Sequence, residues 1–335
     1  MIPHNKPTIG KEEEEAALRV LQSGWLAQGE EVKNFENEFC DYLGLPHGHA
    51  LALSSGTSSL FLALQILNGN NKKILFPGYV CSALRHAVSM VNGTEQLVDI
   101  TSDSPNISIN EINKNPHDLS IIPHMYGIPI NFQKMSNPII EDCCQALGSK
   151  INNEFVGLKG DISIFSFYAT KLMTSGGQGG MLVSKNKDHV DAARDYREFD
   201  LRNDNKNRFN FQMTDLQAAI GREQLKKLPD FLKRRDEIFN IYKKAGLNLL
   251  DVEDKSIKPV RYRAIIKTQN PNQIIKSLND ADIKSIIPTE DWEILGPAIN
   301  FPNSLKLSRE TVSIPLYPSL LDSDIDQILS VLMKK

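Results

Sequence analysis

Between residues 50 and 185 the chain alternates short apolar runs with helix-like ones, and this alternation narrows the fold more than any other feature. ALALSS (50–55) precedes SSLFLALQIL (58–67), and KILFPGY (73–79) precedes ALRHAVSMV (83–91). TEQLVDI, LSIIPHMYG, PIIEDCCQALG, DISIFSFYATK and GGMLVSK follow as further strand-like segments. Apolar runs without polar alternation are strands buried on both faces, the pattern of a largely parallel sheet with helices packed over it. An α/β layered domain is therefore predicted.

The flanks are more polar. KEEEEAALRVLQSG (11–24) reads as a helix with acids in its first turn, where the macrodipole favours them, and a glycine at its end. EVKNFENEFCDYLG (31–44) reads as a second helix. Thr214 caps a third, over 214–228, which Pro229 is predicted to end, with a fourth over 230–246. Beyond 246, strand-like and helical pieces alternate. At 335 residues two domains are expected: a large one over 1–235 and a smaller α+β one over 236–335.

Bulk properties exclude several function classes. The net charge of −3 leaves no basic footprint for nucleic acid or an anionic membrane. No apolar run approaches the ~18 residues of a membrane span, and MIPHNKPTIG has no signal-peptide core, so a cytoplasmic protein is expected. Cys40, Cys81, Cys143 and Cys144 show no metal-ligand spacing, so reduced thiols and no metal are expected.

Three segments at predicted strand ends carry polar chemistry. In SSGTSSLFLAL a strand delivers Gly56 and Thr57 to a helix N-terminus, an anion site to which Ser55, Thr57 and Ser58 add hydroxyls. In EDCCQALG, Glu141 and Asp142 close a strand facing the binding crevice of an open α/β sheet. In SFYATKLMTSGGQGG, Lys171 follows a strand and Ser166, and burial would lower its pKa and make it an amine nucleophile. Each alone has a plain structural role: a capped turn, a helix cap, a solvated lysine. Together they supply what pyridoxal 5′-phosphate (PLP) needs: a phosphate cradle, an acid for the pyridine nitrogen and a lysine for the aldehyde.

The ordered segments SGWLAQG, SSGTSSLFLAL, PHMYGIP, IEDCCQALGS, GDISIFSFYATK, GGQGGMLVS, FNFQMTDLQAAIGREQL and IPLYPSL resemble the DegT/DnrJ family of fold-type-I sugar aminotransferases. The resemblance runs over nearly the whole chain and is strongest up to residue 228. It implies a three-layer αβα PLP domain with a smaller C-terminal domain. Lys171 would hold the cofactor as a Schiff base and move the substrate proton. Asp142 would pair with the pyridine nitrogen and Gln145 with the phenolic oxygen. Gly56, Thr57, Ser58 and Ser166 would bind the phosphate. Asn210 would reach the phosphate in a partner subunit, in a homodimer with shared sites. The donor would be an amino acid, glutamate, and the acceptor a nucleotide-linked ketosugar for aminosugar or surface-polysaccharide synthesis. Alternatives are another ketone, such as an aminocyclitol precursor, and a PLP-binding regulatory protein without turnover.

Two segments depart from the family pattern. Cys81, in FPGYVCSALRHA, stands where relatives place an aromatic residue over the ring, so either Cys81 packs on the ring or Tyr79, two positions before it, shifts to cover it, and Tyr79 is also a candidate substrate contact. The segment 286–298 lacks a histidine that many relatives carry, so Trp292 or Glu290 is expected to face the acceptor. Trp25 and Gln28, in SGWLAQG, are further candidate substrate contacts, while His124 is expected to make a structural hydrogen bond and arginines of 194–208 to meet an anion.

Overall fold

The computed structural model describes residues 1–333. Its elements in chain order are α1 (Lys11–Ser23), α2 (Glu30–Leu43), β1 (Ala50–Leu53), α3 (Gly56–Ile66), β2 (Lys73–Pro77), α4 (Ala83–Met90), β3 (Thr94–Val98), α5 (Ile109–Lys114), β4 (Leu119–Pro123) and β5 (Ile139–Asp142). They continue with β6 (Lys150–Ile151), β7 (Glu154–Phe155), β8 (Ile162–Ser166), β9 (Gly180–Val183), α6 (Lys187–Arg197), α7 (Asp215–Lys244), β10 (Ile257–Lys258), β11 (Ala264–Lys267), α8 (Pro271–Asn279), α9 (Pro302–Arg309), β12 (Thr311–Ile314) and α10 (Asp322–Leu332).

Seven strands form the main sheet in the order β1-β9-β8-β5-β4-β2-β3. All run parallel except β9, which pairs antiparallel with both β1 and β8. β1, β4, β5 and β9 are buried along their whole length, as apolar runs without alternation require. Strand order reverses between β2 and β4, because the chain steps outward from β2 to β3 and then returns to β4 on the other side. Loops after these two strands diverge and open a crevice at the carboxyl ends, where ligands of open α/β sheets bind.

α7 differs from expectation. It is one helix of 30 residues with Pro229 inside it. Proline removes one backbone hydrogen bond, but Leu225, Leu228, Phe231, Ile238, Phe239 and Tyr242 are buried along the helix, and that packing outweighs the missing bond. The helix also crosses the expected domain division at 235/236. Its second half joins Ile2, Leu249, Ile266, Val312 and Ile328 in a separate core beside the β11–β12 pair. The smaller unit thus draws on both chain ends and the end of α7. Among the described residues no helix is long and apolar enough to cross a membrane.

Candidate active site

The α3 N-terminus is built by local hydrogen bonding. Ser55 caps the helix: its hydroxyl accepts from the Ser58 N–H at 3.0 Å, and the Ser58 hydroxyl accepts from the Ser55 N–H at 3.0 Å. This corrects the expectation for Ser58. Its side chain is buried and donates to the Ser55 carbonyl at 2.7 Å, so it braces the cap instead of facing the crevice. Gly56 and Thr57 open the helix, and their N–H groups have no acceptor one turn earlier. A side chain at Gly56 would put its Cβ 2.9 Å from Ser166 Cβ, so only glycine lets α3 start this close to the end of β8.

Asp142 ends β5, and its carboxylate is held by the Cys144 N–H at 2.9 Å on Oδ1. Gln145 lies in a turn, and its Oε1 accepts from the Tyr126 N–H at 2.8 Å. That contact depends on Tyr126 taking a left-handed φ of 56°, an uncommon conformation for tyrosine.

Ser55, Gly56, Thr57, Cys81, Asp142, Cys144, Gln145, Ser166 and Lys171 line one cavity of about 260 Å³, with Val80, His124, Tyr168 and Gln178 also on its wall. Three strand ends distant in sequence thus converge at one place. The loop leaving β8 is pinned: the Lys171 N–H donates to the Tyr168 carbonyl, and the Ala169 N–H donates to the carbonyl of Gly177, whose φ of 123° suits glycine alone.

The electrostatics of Lys171 differ from the expected depression. Burial alone would lower its pKa. Negative charge on Tyr262, Cys144, Asp142 and Cys81 would favour the ammonium, and the net direction is upward. Lys171 Nζ lies 5.5 Å from the Tyr262 ring centroid. Burial pushes the Cys144 thiol well above its usual value, with Asp142 adding to the effect. Tyr262 and Cys144 had no counterpart in the sequence reading. Cys144 sits two residues after Asp142, a spacing that could have marked it; Tyr262 lies far along the chain, and nothing local identifies it.

Other sequence candidates are elsewhere. Tyr79 is fully buried and off the cavity wall, its hydroxyl accepting from Tyr126 at 2.8 Å. The strand-end turn aims Cys81, two residues on, at the crevice in its place. Trp25 is 62% exposed and folds onto its own turn, its indole N–H donating to the Gln28 carbonyl at 3.2 Å. The Gln28 side chain donates to Glu198 at 2.9 Å. Trp292 is 81% exposed and Asn210 is also exposed, neither on this cavity. Arg194 and Arg197 hold Glu36, and Arg202 and Arg208 hold Asp195.

His124, Glu141 and Cys143 form a buried cluster at the ends of β4 and β5, with His124 reaching the cavity wall. His124 Nδ1 accepts from the Ile130 N–H, which leaves Nε2 to donate to Glu141 at 3.0 Å. Glu141 also accepts from the N–H groups of Gly157, Lys159 and Gly160, so the cluster ties β4 and β5 to the 157–160 turn.

The αβα fold, with an anion-binding helix end, a buried carboxylate and a lysine on one strand-end cavity, defines a fold-type-I PLP enzyme. The residues fit that group: the free N–H pair of α3 suits a phosphate, and the Asp142 carboxylate has one oxygen without a hydrogen bond among the described residues. The family model of the DegT/DnrJ/EryC1/StrS aminotransferases matches residues 7–333. The spore coat polysaccharide biosynthesis protein SpsC of Bacillus subtilis is 28% identical over 98% of this chain and 95% of its own. GDP-perosamine synthase of Escherichia coli O157:H7 is 30% identical over 76% of this chain and 74% of its own. Among solved structures, the aminotransferase TlmJ of Streptoalloteichus hindustanus superposes with a TM-score of 0.90 at 23% identity, over 99% of this chain and 98% of that one. The PMP form of the sugar aminotransferase Spr1654 of Streptococcus pneumoniae also gives 0.90, at 22% identity over 99% and 98%. The chain belongs to the DegT/DnrJ/EryC1/StrS family and is a PLP-dependent aminotransferase.

Proposed function

We propose that this aminotransferase moves an amino group from L-glutamate to a nucleotide-linked ketosugar, in aminosugar or surface-polysaccharide synthesis, as a homodimer. The observation that carries the chemistry is the meeting of Lys171, Asp142 and the α3 N-terminus on one cavity. The sugar acceptor is supported by the names of relatives, a GDP-perosamine synthase and a spore coat polysaccharide protein.

Gly56 and Thr57 bind the phosphate through backbone N–H groups, with Ser166 adding its hydroxyl and Asn210 reaching the site of the partner. Asp142 binds the ring nitrogen and keeps it protonated; Gln145 binds the phenolic oxygen and is itself oriented by the Tyr126 N–H. When bound, the cofactor supplies a conjugated ring that accepts the electron pair left when a proton departs the substrate carbon. Lys171 would take that proton at Nζ and return it one position away; one water is then consumed to release the donor as its 2-oxo acid while its amino group stays behind, and one water is given back when the ketone acceptor takes that amino group up. Cys81 and Cys144 pack beside the ring as small side chains. Cys81 leaves more room than an aromatic residue there would.

The purified protein is expected to show the visible absorption of lysine-bound cofactor, absent in Lys171→Ala. Glutamate should bleach that band in the wild type. A band that survives Lys171→Ala overturns the lysine assignment, and indifference to every amino acid overturns the donor half-reaction. A panel of dTDP-, UDP- and GDP-linked 3- and 4-ketosugars then identifies the acceptor; turnover of a ketocyclitol in preference to all of them would overturn the nucleotide-sugar reading.

A further inference from the structure

Three buried hydroxyls from distant parts of the chain meet beside the crevice. Tyr79 follows β2 and Tyr126 follows β4, the two strands whose loops diverge, while Thr289 belongs to the segment 286–298. Val80 and Met125, their chain neighbours, line the cavity. The Tyr126 hydroxyl donates to that of Tyr79 at 2.8 Å, and the Thr289 hydroxyl lies 3.3 Å from Tyr126. A hydroxyl has one proton, so Thr289 is the donor in the second bond. The two rings meet edge to face, with centroids 6.3 Å apart and planes at 87°. Burial raises the pKa of both phenols, so they keep their protons; Arg263 and Glu293, the charges acting on Tyr126, do not reverse that direction.

The chemistry described above uses none of these hydroxyls, yet Tyr126 is held in a strained backbone conformation, φ 56° and ψ 19°. Asn106 clasps its flanks, accepting from the Met125 N–H at 2.9 Å and donating to the Ile128 carbonyl at 2.8 Å. Between them Tyr126 is fixed through its ring and hydroxyl. What the conformation delivers is one N–H, which donates to Gln145 Oε1 at 2.8 Å. A backbone N–H can bond only the oxygen of a carboxamide, so it decides which end of Gln145 is which. Nε2 is left to donate elsewhere, with only the sulfur of Met125 near it, at 3.9 Å. The far end of the hydroxyl chain is as firmly placed. Ile286 pairs with Ser313, and the Leu295 N–H donates to the Gly78 carbonyl at 2.9 Å. Between these two anchors Thr289 is buried just before the turn Asp291–Glu293, which carries the exposed Trp292.

We propose that Tyr126 is a positioning residue that ties the segment 286–298 to the cofactor's phenolic oxygen: Thr289 and Tyr79 fix its phenol, and its N–H fixes the Gln145 amide with Nε2 toward that oxygen. This rests on the assignment of Gln145 made above. A donor on the phenolic oxygen draws off negative charge, so the neighbouring nitrogen that links Lys171 to the cofactor holds its proton less tightly. Loosening the amide therefore raises the pH at which the visible band titrates. The segment where this chain departs from its relatives is thereby joined to the electronics of the ring.

The test follows the pH midpoint of the visible band in the holoenzyme. Gln145→Ala sets the reference and should raise the midpoint by roughly one unit, the worth of a hydrogen bond to a charged group. Tyr126→Phe keeps the ring and removes its hydroxyl; Thr289→Val keeps the shape and removes the other. Each should raise the midpoint by roughly 0.3–0.7 unit. Neither should move it further in the Gln145→Ala background, because the effect passes through that amide. A midpoint unmoved by Tyr126→Phe overturns the proposal, as does an equal shift with and without Gln145. A shift in Tyr126→Phe but none in Thr289→Val removes the segment 286–298 from the chain and also overturns it. If Tyr126→Phe does not fold, Thr289→Val decides by the same criteria. Failure of the underlying readings looks different: an unmoved midpoint in Gln145→Ala overturns the Gln145 assignment and this proposal with it, and absence of the band overturns the cofactor assignment itself.

Discussion

His4 shows how a single residue couples folding to pH. Nε2 faces the Ser313 hydroxyl at 2.8 Å and the Arg263 guanidinium at 3.3 Å. An arginine only donates, so the ring is held neutral with Nε2 as acceptor. Burial first, then the charges of Arg263 and Lys284, lower its pKa from 6.5 to about 3. The unfolded chain therefore binds a proton that the native state refuses, and stability falls as pH drops below 6.5. His4→Gln should flatten part of that decline between pH 6.5 and roughly pH 5, before carboxylates begin to titrate. Urea denaturation of both proteins across this range reads the difference; parallel curves would show that His4 takes up its proton as readily in the native state as in the unfolded chain. Nothing in MIPHNK marks this histidine, because its partners arrive from residues 263 and 313. By contrast, Gly56, Asp142 and Lys171 were legible because each stands at the end of its own strand. Between Tyr79 and Cys81 the sequence alone could not choose, because the turn after β2 buries one side chain and presents the other two residues later.

At the scale of elements, the site depends on how closely β9 approaches the β1–α3 turn. Gly180 pairs with Leu53, and a Cβ there would lie 2.3 Å from the Ser55 carbonyl oxygen and 2.7 Å from the Gly56 nitrogen. Both are backbone atoms, so the clash cannot be relieved by rotating a side chain. Gly180→Ala must push β9 away from the turn or tilt the start of α3. The variant should lose about 1–3 kcal/mol of stability and bind PLP more weakly than wild type. Denaturation midpoints and cofactor titration check both, and an unchanged PLP affinity would show that the cradle does not depend on this contact. The sequence marked Gly179 and Gly180 as the start of a strand, and the antiparallel pairing explains why glycine is there. The pattern around Pro229 misled for a related reason. A local rule about proline competes with a long buried face, and only the packing partners decide which prevails.

At the scale of the whole molecule, the segment between α6 and α7 places neither Phe209 nor Asn210 on the wall of its own cavity. It is ordered by ion pairs, with Arg202, Lys206 and Arg208 gathered on Asp195 and Arg208 also holding Asp204. Beyond that knot it presents Phe209, 55% exposed, beside the exposed Asn210, whose Oδ1 accepts from the Gln212 N–H at 3.1 Å. A monomer gains nothing from a pinned loop that offers an aromatic and an amide to solvent. A twofold dimer would place both against a second copy, since an isologous interface repeats each contact. If Asn210 serves the partner's site, Lys171→Ala and Asn210→Ala damage different halves of each active site. Each homodimer should then be impaired at both sites, but a mixed dimer carries one site with both residues intact. Co-refolding equal amounts should restore about a quarter of wild-type turnover, because half the dimers are mixed and each has one sound site. A mixture that stays at the level of its parents, while sedimentation shows subunits exchanged, would place Asn210 in service of its own chain.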